Sequence, residues 1–147
     1  RTLSVKRVLE LHHLLITNLG VDTGFRNRIV KITGSNYVPC DNKFQIEEFF
    51  NNIIEKINST ESILSKAIMA NLLIAYLQPF EDGNKRTSRM LGNAILLANK
   101  GIPVSFSHTP KEDYIKALLY FYEKQDPAFF KYLFLKELEQ SFREYAA

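Results

Sequence analysis

The sequence has very little cysteine, a single Cys40 among 147 residues. One thiol excludes an internal disulfide framework and any zinc site built from several cysteines. It is typical of a reducing compartment, so we expect a cytoplasmic protein. Glycine and proline are also scarce, at 6 and 5 residues, which excludes collagen-like and low-complexity chains.

Long hydrophobic runs and a strong charge of one sign are missing as well. The apolar stretch Leu72 to Leu77 is interrupted upstream by Lys66 and Asn71, so we expect no membrane-spanning segment. The first residues do not lead into a signal-peptide hydrophobic region. The net charge of +3 is too small to indicate a nucleic-acid partner.

The hydrophobic spacing that is present predicts a mostly helical chain. Apolar residues three and four positions apart predict helices at about residues 4–19, 46–57, 61–76 and 85–99. The third is apolar almost all round, as in the buried centre of a bundle, and it carries no basic face for DNA. A capping box at Thr109-Pro110 and the pair Asp126-Pro127 predict two further helices. We find no linker or repeat, so residues 1–147 are expected to form one domain. The first residue is not Met, which is compatible with a fragment of a longer chain.

One segment has the pattern of β-structure. Residues 28–32 alternate, Gly34-Ser35 can form a turn, and residues 36–38 can return before Pro39. An isolated two-stranded hairpin is marginally stable, so it must pack on the helices or act as a flap. The predicted fold is therefore an all-α helical bundle with one short β-hairpin flap.

The most informative segment, QPFEDGNKRTSR, runs from Gln78 to Arg89 and joins the apolar helix to the next one. Gly83 permits a sharp turn, and Asn84 is suited to cap the helix that follows. The main-chain N–H groups of Gly83, Asn84 and Lys85 would then project from a helix N-terminus. Such an arrangement binds anions, phosphate above all.

Charged side chains in the same segment add to this interpretation. Arg86 and Arg89 are three residues apart, so both project from one face and can donate forked hydrogen bonds to phosphate oxygens. Asp82 can hold a divalent metal that bridges phosphates, since Mg²⁺ usually takes only one or two carboxylates. The pattern predicts a cradle for a nucleoside diphosphate or triphosphate. The alternative is a solvated connection between helices. Against it, three basic residues oppose the positive end of the helix dipole, and a segment that breaks a local rule is more often functional.

The segment resembles the signature of the Fic (filamentation induced by cAMP) family, His-Pro-Phe-x-Asp/Glu-Gly-Asn-Gly/Lys-Arg-x-x-Arg, at every fixed position except the first. Gly24-Phe25-Arg26 with residues 30–39 resembles the family's flap hairpin, and residues 114–126 resemble its following helix. The resemblance thus covers nearly the whole chain in order. It implies a helical domain that transfers AMP from ATP to a Ser, Thr or Tyr hydroxyl of a target protein.

The resemblance also implies roles for individual residues. Asp82 would bind the Mg²⁺ ion, and Phe80 would be a buried anchor. The residues that would hold the ATP phosphates, through main-chain amides or guanidinium groups, are Gly83, Asn84, Lys85, Arg86 and Arg89. The flap residues that would bind the target's main chain by strand addition are Val30, Lys31, Ile32 and Tyr37.

The departure from the signature is Gln78, where the family has the histidine that acts as general base. An amide has no proton-accepting site near pH 7, so we expect transfer to be slower by about 10²–10⁴-fold while phosphate binding is kept. Gln78 is compatible with an introduced substitution or with a natural chain that has lost or changed its activity. One alternative is therefore a pseudoenzyme that binds nucleotide or a protein partner. Another is a transferase of a different phosphate-containing group, because Lys85 also occurs in the related death-on-curing branch, which phosphorylates its target.

The other histidines are not expected to replace the base. His12 is predicted at the edge of the first helix's apolar face, His13 is predicted to be exposed, and His108 to lie in a loop. Many Fic proteins carry an inhibitory helix, Ser/Thr-x-x-x-Glu-Gly/Asn, whose glutamate pairs with the second motif arginine. No Ser or Thr in this chain is followed four residues later by Glu. If an inhibitor exists, its glutamate would approach Arg89 from an upstream helix or from a separate antitoxin chain.

Overall fold

The computed structural model describes residues 2–146, and these contain six α-helices and no β-strand. The helices are α1 (Val5–Ile16), α2 (Lys43–Ser59), α3 (Ile63–Leu77), α4 (Asn84–Ala98), α5 (Lys111–Lys124) and α6 (Ala128–Ala146). The prediction of an all-α fold is confirmed, and each helix lies within a few residues of its predicted position.

Helix α3 is the centre of the bundle. It packs against α2, α4 and α5, while α1 packs on α4 and α2, and α6 on α5. Its apolar side chains point in all directions, and Ala67, Ile74 and Ala75 are completely buried. Helix α4 approaches α3 so closely that a Cβ at Gly92 would overlap the side chain of Asn71. This tight packing positions the turn between α3 and α4, which carries the motif.

The sequence predicted side-chain caps at the starts of α5 and α6, and the structure shows a cap only at α6. Asp126 accepts a hydrogen bond from the Ala128 N–H at 2.9 Å, as a cap of α6 should. Thr109, in contrast, does not cap α5, which begins at Lys111 without a side-chain cap. Its hydroxyl donates to Glu137 Oε1 of α6 at 2.7 Å. This charge-assisted hydrogen bond directs the Thr109 side chain towards α6, and the predicted capping box does not form.

The predicted β-hairpin is not confirmed. Residues 28–39 form an extended segment with a turn, closed by a hydrogen bond from Ser35 N–H to the Ile32 carbonyl at 3.3 Å. The polar groups of its second half bond to helices instead of to a partner strand. Ser35 Oγ donates to Glu123 Oε1 of α5 at 3.0 Å, and Tyr37 Oη donates to the Tyr76 carbonyl of α3 at 2.7 Å. The main-chain N–H groups that a partner strand would need are also engaged, that of Asn36 with Glu123 Oε1 at 3.4 Å and that of Tyr37 with Ser35 Oγ at 3.1 Å, so strand pairing does not form here.

None of the helices described is both long enough and apolar enough to cross a membrane.

Candidate functional site

The motif lies on the turn that joins α3 to α4. Helix α3 ends at Leu77, and Gln78 takes a left-handed conformation with φ 51° and ψ 56°. Pro79 follows, and since a residue before proline avoids the right-handed helical region, the helix ends here. Gly83, with φ 81°, precedes the first residue of α4. A Cβ there would lie 3.0 Å from Ile16 Cγ2, so both the backbone conformation and the close approach of α1 require glycine.

A buried arginine holds the α3 end of this turn. Arg26 is 1% exposed, and its guanidinium donates to the carbonyls of Leu77 at 3.3 Å and Gln78 at 2.5 Å. It also donates to the carbonyls of Arg28 and Cys40. Burial lowers the pKa of Arg26, although an arginine stays charged in proteins. The Arg26 guanidinium thus satisfies carbonyls at the end of α3, which lack partners within the helix, and links them to the carbonyls of Arg28 and Cys40.

The side chain of Gln78 is engaged at both of its polar atoms. Its Nε2 donates to the Ala75 carbonyl at 2.6 Å, and its Oε1 accepts from Asn84 Nδ2 at 3.2 Å. A neutral amide fixed in this way is a hydrogen-bonding group with no role in accepting a proton.

Asn84 closes the turn on itself. Its Oδ1 accepts from the Phe80 N–H at 2.9 Å and its Nδ2 donates to the Phe80 carbonyl at 2.8 Å. Asn84 was predicted to cap α4, but it is the first residue of that helix and Gly83 stands at the cap position without a side-chain bond. Phe80 is completely buried, as predicted for an anchor.

The open face of the turn carries Asp82 and the N-terminus of α4. Asp82 Oδ1 accepts from the Gly83 N–H at 2.7 Å, and Oδ2 pairs with Arg86 at 3.3 Å. The first i→i−4 bond of α4 runs from Thr87 N–H to the Gly83 carbonyl, so the preceding amides have no acceptor within the helix. A shallow depression of about 300 Å³ lies here, lined by Gln78, Glu81, Asp82, Gly83, Asn84, Lys85 and Arg86.

The start of α4 is strongly basic. The guanidinium carbon of Arg89 lies 5.5 Å from the ring centre of Tyr114, a cation–π contact with a buried residue of α5. Partial burial lowers the pKa of the Lys85 ammonium, and the positive charges of Arg89 and Lys111 lower it further. Several cations therefore share one helix start without a full set of acidic partners, which creates a positive potential suited to an anion.

The predicted flap segment lies beside the motif at one end. Arg28 makes a two-pronged ion pair with Glu81, both N···O distances being 3.0 Å. Lys31 is exposed, whereas Val30 and Ile32 are half-buried. Tyr37 faces inward, stacked on Tyr76 with ring centres 4.4 Å apart, and burial raises its pKa well above the ordinary range. The segment is thus brought to the motif, but Tyr37 anchors it to α3 and is not free on its surface.

One histidine was misplaced by the sequence analysis. His12 was predicted at a helix face edge, yet it is completely buried. Its ring stacks on Phe80 with centres 3.6 Å apart and planes 9° apart. His13 is exposed and His108 lies in a loop, as predicted. The signal that could have located His12 is its position four residues after the buried Val8 and four before the buried Ile16, on the same face of α1.

Comparisons with known proteins match this geometry to one family. A profile of the Fic/DOC family matches residues 2–96. A probable protein adenylyltransferase of Aquifex aeolicus is 29% identical over 113 residues, covering 76% of this chain and 34% of the relative. A protein adenylyltransferase Fic of Nematostella vectensis is 26% identical over 120 residues, covering 80% and 28%. The chain therefore spans about a third or less of the length of these relatives.

Solved structures agree on the fold. A Caenorhabditis elegans Fic-1 fragment superposes with a TM-score of 0.79 at 23% identity, covering 99% of this chain and 43% of the other. A Fic family protein of Desulfovibrio desulfuricans gives 0.80 at 22% identity, covering 95% and 46%. A Bartonella tribocorum BepC protein with bound AMPPNP gives 0.63 at 21% identity, covering 76% and 56%. With the profile match extending over most of its length, the chain belongs to the Fic/DOC family.

Proposed function

We propose that this chain is a Fic-type domain that binds ATP with Mg²⁺ at the start of α4 and belongs to the protein adenylyltransferases, with turnover strongly reduced by Gln78. The observation that carries the proposal is the combination of helix N-terminal amides without acceptors in the helix, Arg86 beside them at one shallow depression, and Arg89 three residues further along α4. Named relatives are protein adenylyltransferases, and one solved relative binds an ATP analogue.

The residues present fit the phosphate chain of a nucleotide. The amides of Gly83, Asn84 and Lys85 would donate to phosphate oxygens, with the helix dipole favouring the negative charge. Arg86 and Arg89 would add forked donors. The Gly83 N–H and Arg86 are now paired with Asp82, whose side chain is 57% exposed, so the phosphates would take these donors over when Asp82 turns to the metal.

Asp82 fits the metal. Its carboxylate is 57% exposed and lies beside the N-terminus of α4. A single carboxylate is enough, since Mg²⁺ keeps several waters and takes its other ligands from phosphates. The metal would neutralise charge on the phosphate chain.

In the proposed reaction a target hydroxyl oxygen forms a bond to the α-phosphorus of ATP. The bond from that phosphorus to the oxygen bridging to the β-phosphate breaks, and pyrophosphate leaves. The hydroxyl proton needs an acceptor at position 78, where the Gln78 amide cannot serve. The exposed Lys31 with Val30 and Ile32 would align the target's main chain beside the depression.

Two other functions remain candidates because of specific residues. Gln78 also suits a pseudoenzyme that binds nucleotide or a protein partner without turnover. Lys85, a cation beside the phosphates, also suits transfer of a different phosphate-containing group.

We propose that residues 1–147 form one Fic domain, because a continuous hydrophobic core joins the helices. An inhibitory glutamate, if one exists, would reach Arg89 from an upstream helix or a separate antitoxin chain.

Calorimetry with ADP and Mg²⁺ tests the nucleotide site. We expect binding by the parent chain, and about tenfold weaker binding by Arg89→Ala, since a hydrogen bond to a charged group contributes about 1.5–3 kcal/mol. Arg143→Ala, a distant cation paired with Glu139 on α6, is the matched control and should bind like the parent. Equal affinity of Arg89→Ala and the parent would remove Arg89 from the site.

The position of the label in ATP shows which phosphate-containing group is transferred. Gln78→His, incubated with protein from the source cell and ATP labelled at the α-phosphate, should label a target protein, whereas label at the γ-phosphate should not transfer. Transfer of the γ-label alone would identify a kinase-like activity. Nucleotide binding with no transfer of either label would favour the pseudoenzyme.

A further inference from the structure

His12 of α1 reaches the motif from far away in the sequence. Its Nε2 lies 2.9 Å from the carbonyl oxygen of Asp82, a residue 70 positions further along the chain. The ring is completely buried against Phe80, so it touches neither solvent nor the depression. His12 is therefore not placed to exchange a proton with a substrate.

The hydrogen bond fixes the state of the imidazole. A carbonyl oxygen only accepts, so Nε2 must carry the proton that is donated to Asp82. The other nitrogen, Nδ1, is buried without a hydrogen-bond partner among the residues described. A proton on this buried nitrogen would also lack a partner, so the ring is neutral and has one donor aimed at one acceptor.

That bond bears on the direction of the next amide. In a trans peptide the C=O and the N–H point in opposite directions, and the described chain has no cis peptide bond. Drawing the Asp82 carbonyl towards α1 therefore turns the Gly83 N–H away from α1. The Gly83 N–H meets the Asp82 carboxylate on the open face, at the edge of the depression.

The local backbone alone does not secure this orientation. Glycine tolerates positive and negative φ about equally, so the Asp82–Gly83 peptide can rotate more easily than any other in the turn. Two hydrogen bonds oppose rotation, one from the His12 donor of α1 to the Asp82 carbonyl and one from the Gly83 N–H to the Asp82 carboxylate.

We propose that His12 is a positioning residue that holds the Asp82–Gly83 peptide so that its N–H faces the phosphate site. The role in binding rests on the proposed function, whereas the coupling between His12 and the peptide is a property of the nucleotide-free chain. The two are therefore tested by separate measurements.

The first measurement is NMR on the nucleotide-free protein. Asp82-Gly83 is the only Asp-Gly pair in the sequence, so ¹³C-carbonyl Asp with ¹⁵N-Gly labelling selects a single amide signal. His12→Phe keeps an aromatic ring on Phe80 but loses the donor, and His12→Gln keeps a donor but loses the ring. If the hydrogen bond governs the peptide, the Asp82 carbonyl and Gly83 amide shifts move in His12→Phe and return towards the parent in His12→Gln. A larger displacement in His12→Gln than in His12→Phe would assign the effect to the ring and overturn the proposal.

The parent chain offers a check that needs no variant. In ¹⁵N-histidine spectra, His12 should be neutral with its proton on Nε2. A proton on Nδ1 instead would exclude the bond to Asp82 and overturn the proposal even if His12→Phe fails to fold.

The second measurement is calorimetry with ADP and Mg²⁺. His12→Phe should bind ADP about tenfold more weakly than the parent. This is the lower end of the loss in affinity seen at metal sites when a residue that orients a metal-ligating side chain is removed. His12→Gln should recover most of the affinity, and His13→Phe, the exposed neighbour, should match the parent. A folded His12→Phe with parental affinity would overturn the role in binding. Failure of the parent to bind ADP would instead overturn the proposed function, and the NMR result would still decide whether His12 holds the peptide.

Discussion

The two ends of the turn between α3 and α4 differ in their chemistry. At the Asp82 end, a carboxylate, a helix N-terminus and several cations surround an open depression. At the Gln78 end, a neutral amide is bonded to Ala75 and Asn84 within the protein. The groups suited to binding phosphate and the position suited to removing a proton are thus carried by separate residues. One property can change without the other.

Restoring a base at position 78 should give the largest effect, on the rate of transfer, and it tests whether the two ends of the turn are independent. Gln78→His is expected to raise the rate of transfer by about 10²–10⁴-fold, the usual contribution of a positioned general base. ADP affinity should stay at the parental value, because Gln78 is not among the proposed phosphate donors. Rates from α-labelled ATP and affinities from calorimetry check both, with Gln78→Ala as the control that should remain slow. A large change in affinity would show that the two ends are not separable.

Removing the buried Arg26, which holds the Gln78 end of the turn, should lower the free energy of unfolding. Arg26→Met leaves buried carbonyls without their charged donor, and we expect a loss of about 3 kcal/mol or more in the free energy of unfolding. Arg28→Met removes an arginine two residues away whose side chain is 75% exposed, and it should cost much less, since exposed ion pairs contribute little to stability. Urea unfolding measures both. Equal losses would contradict the role given to Arg26.

The Asp82 end can be tested by removing its metal ligand. Mg²⁺ is expected to raise the ADP affinity of the parent, and Asp82→Asn is expected to abolish that gain, because a neutral amide is a weak ligand for this cation. The parent treated with a chelator should behave like the variant in calorimetry. Asp126→Asn, a carboxylate at a distant helix cap, should retain the full response to Mg²⁺. A Mg²⁺ response that survives in Asp82→Asn would move the metal to another residue.

The smallest expected effect concerns the anchor of the flap segment. Burial raises the pKa of Tyr37 above its ordinary value of 10.0. Above that pH the unfolded chain loses the proton while the folded chain keeps it, so stability should fall as pH rises beyond about 10. Tyr37→Phe removes this titration and should show a shallower decline of melting temperature with pH. A decline as steep as the parent's would mean that other buried tyrosines, such as Tyr122, dominate.

The charged residues of the motif could be predicted from the sequence better than the buried residues that hold the motif in place. Spacing alone brought Asp82, Arg86 and Arg89 to one helix start, because residues within one turn are neighbours whatever the rest of the chain does. His12 and Arg26 act across 70 and 52 residues, and no local pattern encodes such a contact. The hairpin failed for a related reason, since main-chain N–H groups that would have paired its strands donate to side chains, that of Asn36 to Glu123 of α5 and that of Tyr37 to Ser35.

Arg26 and His12 bond to residues far along the chain, and this bears on the order in which parts of the protein fold. A chain is synthesised from its N-terminus, so both residues leave the ribosome well before the motif does. When Gln78 and Asp82 emerge, their partners are already in place, so the turn can close without waiting for downstream chain. Contacts between distant residues slow folding in proportion to the loop they close. We therefore expect the α3–α4 pair to acquire hydrogen-exchange protection earlier in refolding than the Gly83 amide, which depends on the docking of α1.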